Sequence, residues 1–207
     1  MNVLVIAPHP DDEAIGCGGA VLNHVDAGDR VVVAVLTSGE LGLKHLPREE
    51  AWRVREAESL AAASLLGTKA PHFLRLPDWG LEHAVQAAAS ELAPIIAREQ
   101  PELIYLPHEG DGHPDHRACM AILRAALAGR PGATPRLRAY ELWSPLPAVD
   151  HLEDVSAVMQ RKLAAVRAFP SQLAQLPYDV AIEGLNRYRG AVSMHATHAE
   201  AYACPTL

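Results

Sequence analysis

Two short clusters hold most of the residues able to do chemistry: His9-Pro10-Asp11-Asp12-Glu13 near the start, and His113-Pro114-Asp115-His116 past the middle of the chain. Three acids beside an imidazole repel one another unless a cation or water lies between them. In a tight turn His9 and Asp12 can close on one metal ion. Asp11 and Asp12 are adjacent and point in different directions, so one can ligate while the other stays free as a base. The plainer reading of this pair is a helix N-cap, and Glu13 reads as a first-turn helix acid. In the second cluster Pro114 suits the first position of a helix. His113 and His116 are then spaced to face one site. The positive end of that helix disfavours an imidazolium, which suits His116 as a neutral metal ligand. It opposes a charged His113 unless an acid such as Asp115 offsets it, and solvated loop histidines are the plainer reading. Together the clusters offer two imidazoles and a carboxylate, with acid and imidazole to spare. Three protein ligands plus a water are the pattern of a catalytic zinc site, and Fe(II) or Co(II) also suit such donors. Zinc brings the pKa of its water to about 7. A free Asp can then take the proton, and an unligated His can stabilise an oxyanion. The residues alone support a metal-assisted hydrolase.

The elements between the clusters explain how they could meet. Residues 3–7, 31–36 and 103–106 are continuous apolar runs, as in strands buried on both faces, and residues 72–76 read as a shorter strand. Helices are expected from about 14 to 27, from 47 to 66 with Gly67 as its stop, from 83 to 99 with a kink or break at Pro94, and from 114 to 128. This alternation predicts an α/β fold: a Rossmann-like, mostly parallel sheet flanked by helices on both faces. Ligands of such sheets bind beyond the carboxyl ends of the strands. Both clusters follow strand ends, so the topology brings them to one edge. Residues 137–143 are a candidate fifth strand, 156–168 and 179–192 candidate helices, and 129–135 a flexible loop. One domain, residues 1–207, is expected.

At this point the motifs carry a resemblance. Ala7-Pro8-His9-Pro10-Asp11-Asp12-Glu13 followed by His113-Pro114-Asp115-His116 resembles the LmbE/PIG-L family of zinc-dependent N-deacetylases. Arg55-Glu56-Ala57-Glu58, Leu76-Pro77-Asp78-Trp79-Gly80-Leu81, Ser171-Gln172 and Ala199-Glu200-Ala201-Tyr202 are similar to further family segments. The resemblance implies zinc on His9, Asp12 and His116. It implies Asp11 as general base, His113 as helper at the oxyanion or leaving group, and Asp115 as the residue orienting His113. It implies substrate binding by Arg55, sugar hydroxyls held by Asp78, and an oxyanion contact from Tyr178. Many relatives carry Asp-Arg before the second motif where this chain has Asp111-Gly112, so that arginine's substrate contact is absent. The implied reaction is deacetylation of a small N-acetylglucosamine conjugate, such as a GlcNAc-malate precursor of bacillithiol or a chitin-derived disaccharide. The family also implies an oligomer of identical chains.

Other features narrow the field. The formal charge of −7 argues against a nucleic-acid partner. The apolar start is too short for a signal peptide or membrane span. Cys17, Cys119 and Cys204 read as reduced thiols of a cytoplasmic protein. Gly16-x-Gly18 lacks the third glycine of a dinucleotide fingerprint and an acid after the second strand. His195 and His198 could hold a second metal but read more simply as surface histidines. His108 is either a residue supporting the site or a solvated loop histidine. Trp79 suits a sugar's apolar face or a core anchor. The competing functions are a metal-dependent esterase or phosphoesterase on the same residues, and a non-enzymatic metal- or nucleotide-binding domain.

Overall fold

The fold is that of a computed structural model, which describes every residue except 131. One sheet of seven strands runs in the order β3-β2-β1-β4-β5-β7-β6. The first five are β1 (Asn2–Ala7), β2 (Arg30–Thr37), β3 (His72–Leu76), β4 (Leu103–Pro107) and β5 (Arg136–Tyr140), all mutually parallel. Two more, β6 (His151–Asp154) and β7 (Ala199–Ala203), add antiparallel pairings at one edge. The expected α/β class with a mostly parallel sheet is therefore what the chain adopts.

Side chains alternate across the strands. Val3, Val5 and Ala7 of β1, with Val31, Val33 and Val35 of β2, face α1 (Asp12–Asp26), α2 (Arg48–Leu66), α5 (Met159–Val166) and α7 (Tyr178–Ser193). Leu4, Ile6, Val32, Ala34 and Leu36 face α3 (Val85–Glu99) and α4 (Pro114–Leu127) on the other side. The continuous apolar runs follow from this, because both faces of the central strands are covered. Each such buried aliphatic contributes roughly 1.5–3 kcal/mol.

The chain order reverses between β1 and β4. Their pairing extends from Val3↔Leu103 to Val5↔Tyr105, and the next β1 carbonyl, Ile6 O, accepts the Tyr140 hydroxyl at 2.8 Å. A crevice opens there, at the carboxyl ends of both strands, which is where open α/β sheets bind ligands.

Two expectations are corrected. Helix α3 runs through Pro94 without a break, because Ala88, Ala89, Leu92, Ile95 and Ile96 pin it to the sheet. The interrupted helix is α1, which leaves helical geometry at Cys17 (φ −139°, ψ 19°). Beyond that break the amides of Gly19 and Ala20 donate to the Glu200 carboxylate, at 2.7 and 2.8 Å. A Cβ on Gly19 would stand 2.4 Å from Val155 Cγ1, and one on Gly16 2.3 Å from the Tyr140 ring. The glycine run thus serves close packing of α1. A short helix α6 (Pro170–Leu173) precedes α7. The described residues of the 129–135 segment hold no helix or strand; residue 131 lies outside the described residues. Among the described residues, no helix is long and apolar enough to cross a membrane.

Candidate active site

His9 lies two residues past the end of β1, and Asp11 and Asp12 open α1. Asp11 takes φ 117°, a left-handed conformation unusual outside glycine. Its carbonyl accepts the amides of Ala14 and Ile15, at 3.0 and 2.9 Å, and its own amide donates to Glu13 Oε2 at 3.1 Å. Asp11 occupies the N-cap position, but no side-chain bond caps the helix, so its carboxylate is not used as a cap. The strained turn sends the two carboxylates apart. Asp12 Oδ2 accepts the His9 backbone amide at 2.8 Å and lies 3.1 Å from His9 Nδ1.

The second cluster forms the first turn of α4. His113 is its N-cap: His113 Nδ1 accepts the Asp115 amide at 3.2 Å. The ring proton then sits on Nε2. His116, fully buried, brings Nε2 to 3.3 Å from His9 Nδ1 and 3.4 Å from Asp12 Oδ2. Two imidazole nitrogens and one carboxylate oxygen therefore form a triangle with edges of 3.1, 3.3 and 3.4 Å. Ligands about 2.0–2.1 Å from a tetrahedral ion stand about 3.4 Å apart, so the donors fit one divalent ion. His113 also brings a ring nitrogen within 4.8 Å of those of His9 and His116.

Behind each imidazole stands a carboxylate. His9 Nε2 lies 3.3 Å from Asp115 Oδ2 and 3.2 Å from Asp78 Oδ1. Only the Asp115 contact has hydrogen-bond geometry, and Asp78 Oδ1 makes no hydrogen bond. His116 Nδ1 lies 3.0 Å from Asp111 Oδ1 at a poor hydrogen-bond angle. Such carboxylates fix the tautomer and orientation of metal-binding imidazoles. The sequence reading gave Asp115 to His113. The structure instead brings its backbone amide to His113 and its carboxylate to His9, because residue 115 sits inside the helical turn that His113 caps. Asp78, expected to hold sugar hydroxyls, lines the cavity; its Oδ1 stands beside His9 without a hydrogen bond, and its Oδ2 accepts the Leu41 amide at 2.9 Å. Asp111 had no role assigned. Its signal was its place in the same polar loop, but its target depends on residues 143–144, whose amides it accepts. His108 touches no candidate ligand; its Nε2 donates to Ser144 O at 2.8 Å and holds that loop.

The electrostatics follow from burial and crowding. Burial opposes a charge on His9, yet the carboxylates of Asp115, Asp12 and Asp78 outweigh it and hold its pKa well above the ordinary value. Burial works against the His116 imidazolium too, and Asp12 and Asp111 raise it. Burial alone would raise Asp12, but His116 and His9 hold it well below the carboxylate range. For Asp78 and Asp111, burial is likewise outweighed, by His9 and His116 respectively, and both are lowered. Burial pushes Asp11 up to about 6, opposed by the Arg55 guanidinium, and Glu13 up to about 8. His113 is pushed down to about 4 by burial and by the charges of His9 and His116. Burial, with the charges of Asp11 and Asp12, pushes Tyr178 up to about 12. Five aspartates surround three imidazoles and one guanidinium, a donor set that calls for a cation.

His9, Asp11, Asp12, Arg55, Asp78, His113 and Tyr178 line one cavity of about 480 Å³. Arg55, from α2, is buried; its Nη2 donates to Pro10 O and lies 3.4 Å from Asp11 Oδ2. Its Nε and Nη1 have no partner. His195 and His198 lie outside every grouping of potential ligands among the described residues.

The chain is similar to several known proteins. Residues 4–127 match the family model described as PIG-L, GlcNAc-PI de-N-acetylase. A diacetylchitobiose deacetylase of Thermococcus kodakarensis is 33% identical, over 86% of this chain and 72% of its own. A probable N-acetyl-alpha-D-glucosaminyl L-malate deacetylase of Bacillus cereus is 32% identical, over 86% of each chain. A conserved protein of Thermus thermophilus, of solved structure, superposes with a TM-score of 0.86 at 32% identity, covering 100% of this chain and 95% of its own.

Proposed function

The chain belongs to the PIG-L family of GlcNAc-PI de-N-acetylases, and from that premise we propose that it removes the acetyl group from an N-acetylglucosamine-containing small molecule with a zinc ion held by His9, Asp12 and His116. It is a metal-dependent hydrolase acting on an acetamide C–N bond. The observation that carries the reading is the triangle of His9 Nδ1, Asp12 Oδ2 and His116 Nε2, with edges of 3.1–3.4 Å and Asp11 and His113 beside it in one cavity. The donor set of two imidazoles and a carboxylate suits zinc and also accepts Fe(II) or Co(II).

When bound, such an ion supplies Lewis acidity and brings the pKa of water to about 7. The chain does the rest. Asp11, whose pKa burial pushes up to about 6, is still mostly a carboxylate at neutral pH and takes the proton of the attacking water. Arg55 holds that carboxylate in place. His113, neutral and with its proton on Nε2, donates to the acetamide oxygen as negative charge grows there. Tyr178 keeps its phenolic proton and is a second donor on the same cavity wall. The C–N bond breaks, and the amine leaves with the proton that Asp11 carried. The water oxygen stays on the acyl carbon, so amide and water become amine and acetic acid, which at neutral pH exchange a proton to give ammonium and acetate.

The test is acetate release from a panel of N-acetylglucosamine conjugates, with nitrophenyl phosphate and nitrophenyl acetate beside them. Metal-dependent acetate release from the sugars, without phosphate release, is expected. Phosphate ester hydrolysis without sugar deacetylation would favour the phosphoesterase reading.

A further inference from the structure

We propose that Trp79 and Trp143 form an aromatic rim that receives a second, uncharged ring of the substrate, so that the preferred substrate is an N-acetylglucosamine joined to another sugar rather than to a small anion. The inference rests on the deacetylase reading above. Both indoles line the cavity that holds Asp11 and His113. They are 57% and 52% exposed, although tryptophan is highly buried on average. Neither is a core anchor.

Their placement is fixed by the site itself. The Trp79 amide donates to Asp115 Oδ2 at 2.7 Å, and the Trp143 amide to Asp111 Oδ2 at 2.9 Å. These are the two carboxylates that stand behind His9 and His116. Each tryptophan is thus tied, through one aspartate, to one imidazole of the candidate metal site. Trp79 is also held at φ 60°, a left-handed conformation that a bulky residue rarely adopts. Its ring packs edge-on against His113, with centroids 4.5 Å apart, and the Trp143 ring packs edge-on against Tyr178 at 5.9 Å. A Cβ at Gly112 would lie 3.5 Å from Ser144 Oγ and 3.6 Å from Trp143 Cβ, so the loop carrying Trp143 packs beside the second motif.

The charges of the cavity wall point the same way. Its acids include Asp11, Asp12 and Asp78, and its arginine and lysine side chains are Arg55 and Lys44. Arg55 is buried and turned to Asp11, which leaves Lys44 as the one exposed cation among the described lining residues. Arg55 keeps Nε and Nη1 unpaired, but it is buried beside Asp11, so Lys44 is the one cation that an exposed anionic appendage meets. A sugar ring, polar at its edge and apolar on its C–H face, matches exposed aromatic faces.

The experiment compares kcat/KM for N-acetylglucosamine, its β-1,4-linked disaccharide and its malate glycoside, in the wild type, Trp143→Ala, Trp79→Ala and Lys44→Ala. The wild type is expected to prefer the disaccharide. Each tryptophan variant is expected to lose about tenfold more on the disaccharide than on the monosaccharide, carried by KM. A thermal melt shows that each variant is folded. Equal losses on both sugars, or a wild-type preference for the malate glycoside that Lys44→Ala removes, would overturn the aromatic rim while leaving the deacetylase reading intact. Acetate release from none of the three would overturn both.

Discussion

Helix α1 carries two buried charged clusters that are completed in opposite ways. Beyond its break, the Glu200 carboxylate takes the amides of Gly19 and Ala20, the Tyr202 hydroxyl and the Lys162 ammonium, the last at 2.6 Å. Lys162 also donates to Asn186 at 2.8 Å, and the side chains of Glu200, Tyr202, Lys162 and Asn186 are all buried. Each charge there has its partner. At the start of the same helix, aspartates outnumber imidazoles, three donor atoms face one another across 3.1–3.4 Å, and a neighbouring cavity opens to solvent. Buried charge is tolerated when paired. Where the protein itself leaves the balance short, the missing partner comes from outside. The closed cluster shapes the helix, and the open one does chemistry.

The comparison can be broken at either end. The largest effect is expected in the open cluster. Asp11→Asn removes the proton acceptor and should lower kcat about 10²–10⁴-fold while metal content stays at the wild-type level; an unchanged kcat would remove Asp11 from the reaction. In the closed cluster, Lys162→Ala leaves Glu200 buried without its counter-charge. Chemical denaturation should show a loss of about 3–5 kcal/mol, and an unchanged midpoint would show that the pair is not what holds this region. The smallest effect tests the carboxylates behind the imidazoles. Asp111→Asn keeps the shape but not the charge opposite His116 and should weaken metal binding about 10–100-fold in a competitive chelator titration. Unaltered affinity would reduce Asp111 to a loop anchor for Trp143 and Ser144.

How far the sequence foretold the molecule depends on what each feature needs. Strands β1, β2 and β4 were legible because burial on both faces writes an unbroken apolar run. Strands β6 and β7 were not: His151–Asp154 is a short polar edge, and Ala199–Ala203 carries Glu200, whose burial makes sense only once Lys162 lies beside it. Pro94 promised an interruption that packing overrode, while the real one at Cys17 depends on a carboxylate from the far end of the chain. The two motifs and their convergence were legible from topology. The aim of each carboxylate was not, since Asp115, Asp78 and Asp111 take their targets from loops brought in by the tertiary fold. Asp11 was readable as the acid apart from Asp12, but its left-handed backbone, which separates the two, was not.

The central claim is that His9, Asp12 and His116 hold one divalent ion on which deacetylation depends. The most direct measurement is elemental metal analysis of the wild type and of His116→Ala, each assayed for acetate release before and after chelation and re-addition of zinc. One ion per chain is expected in the wild type, with activity lost on chelation and restored by zinc. The variant should retain neither ion nor activity. A variant that keeps a full equivalent of metal, or a stripped wild type that works undiminished, would contradict the account.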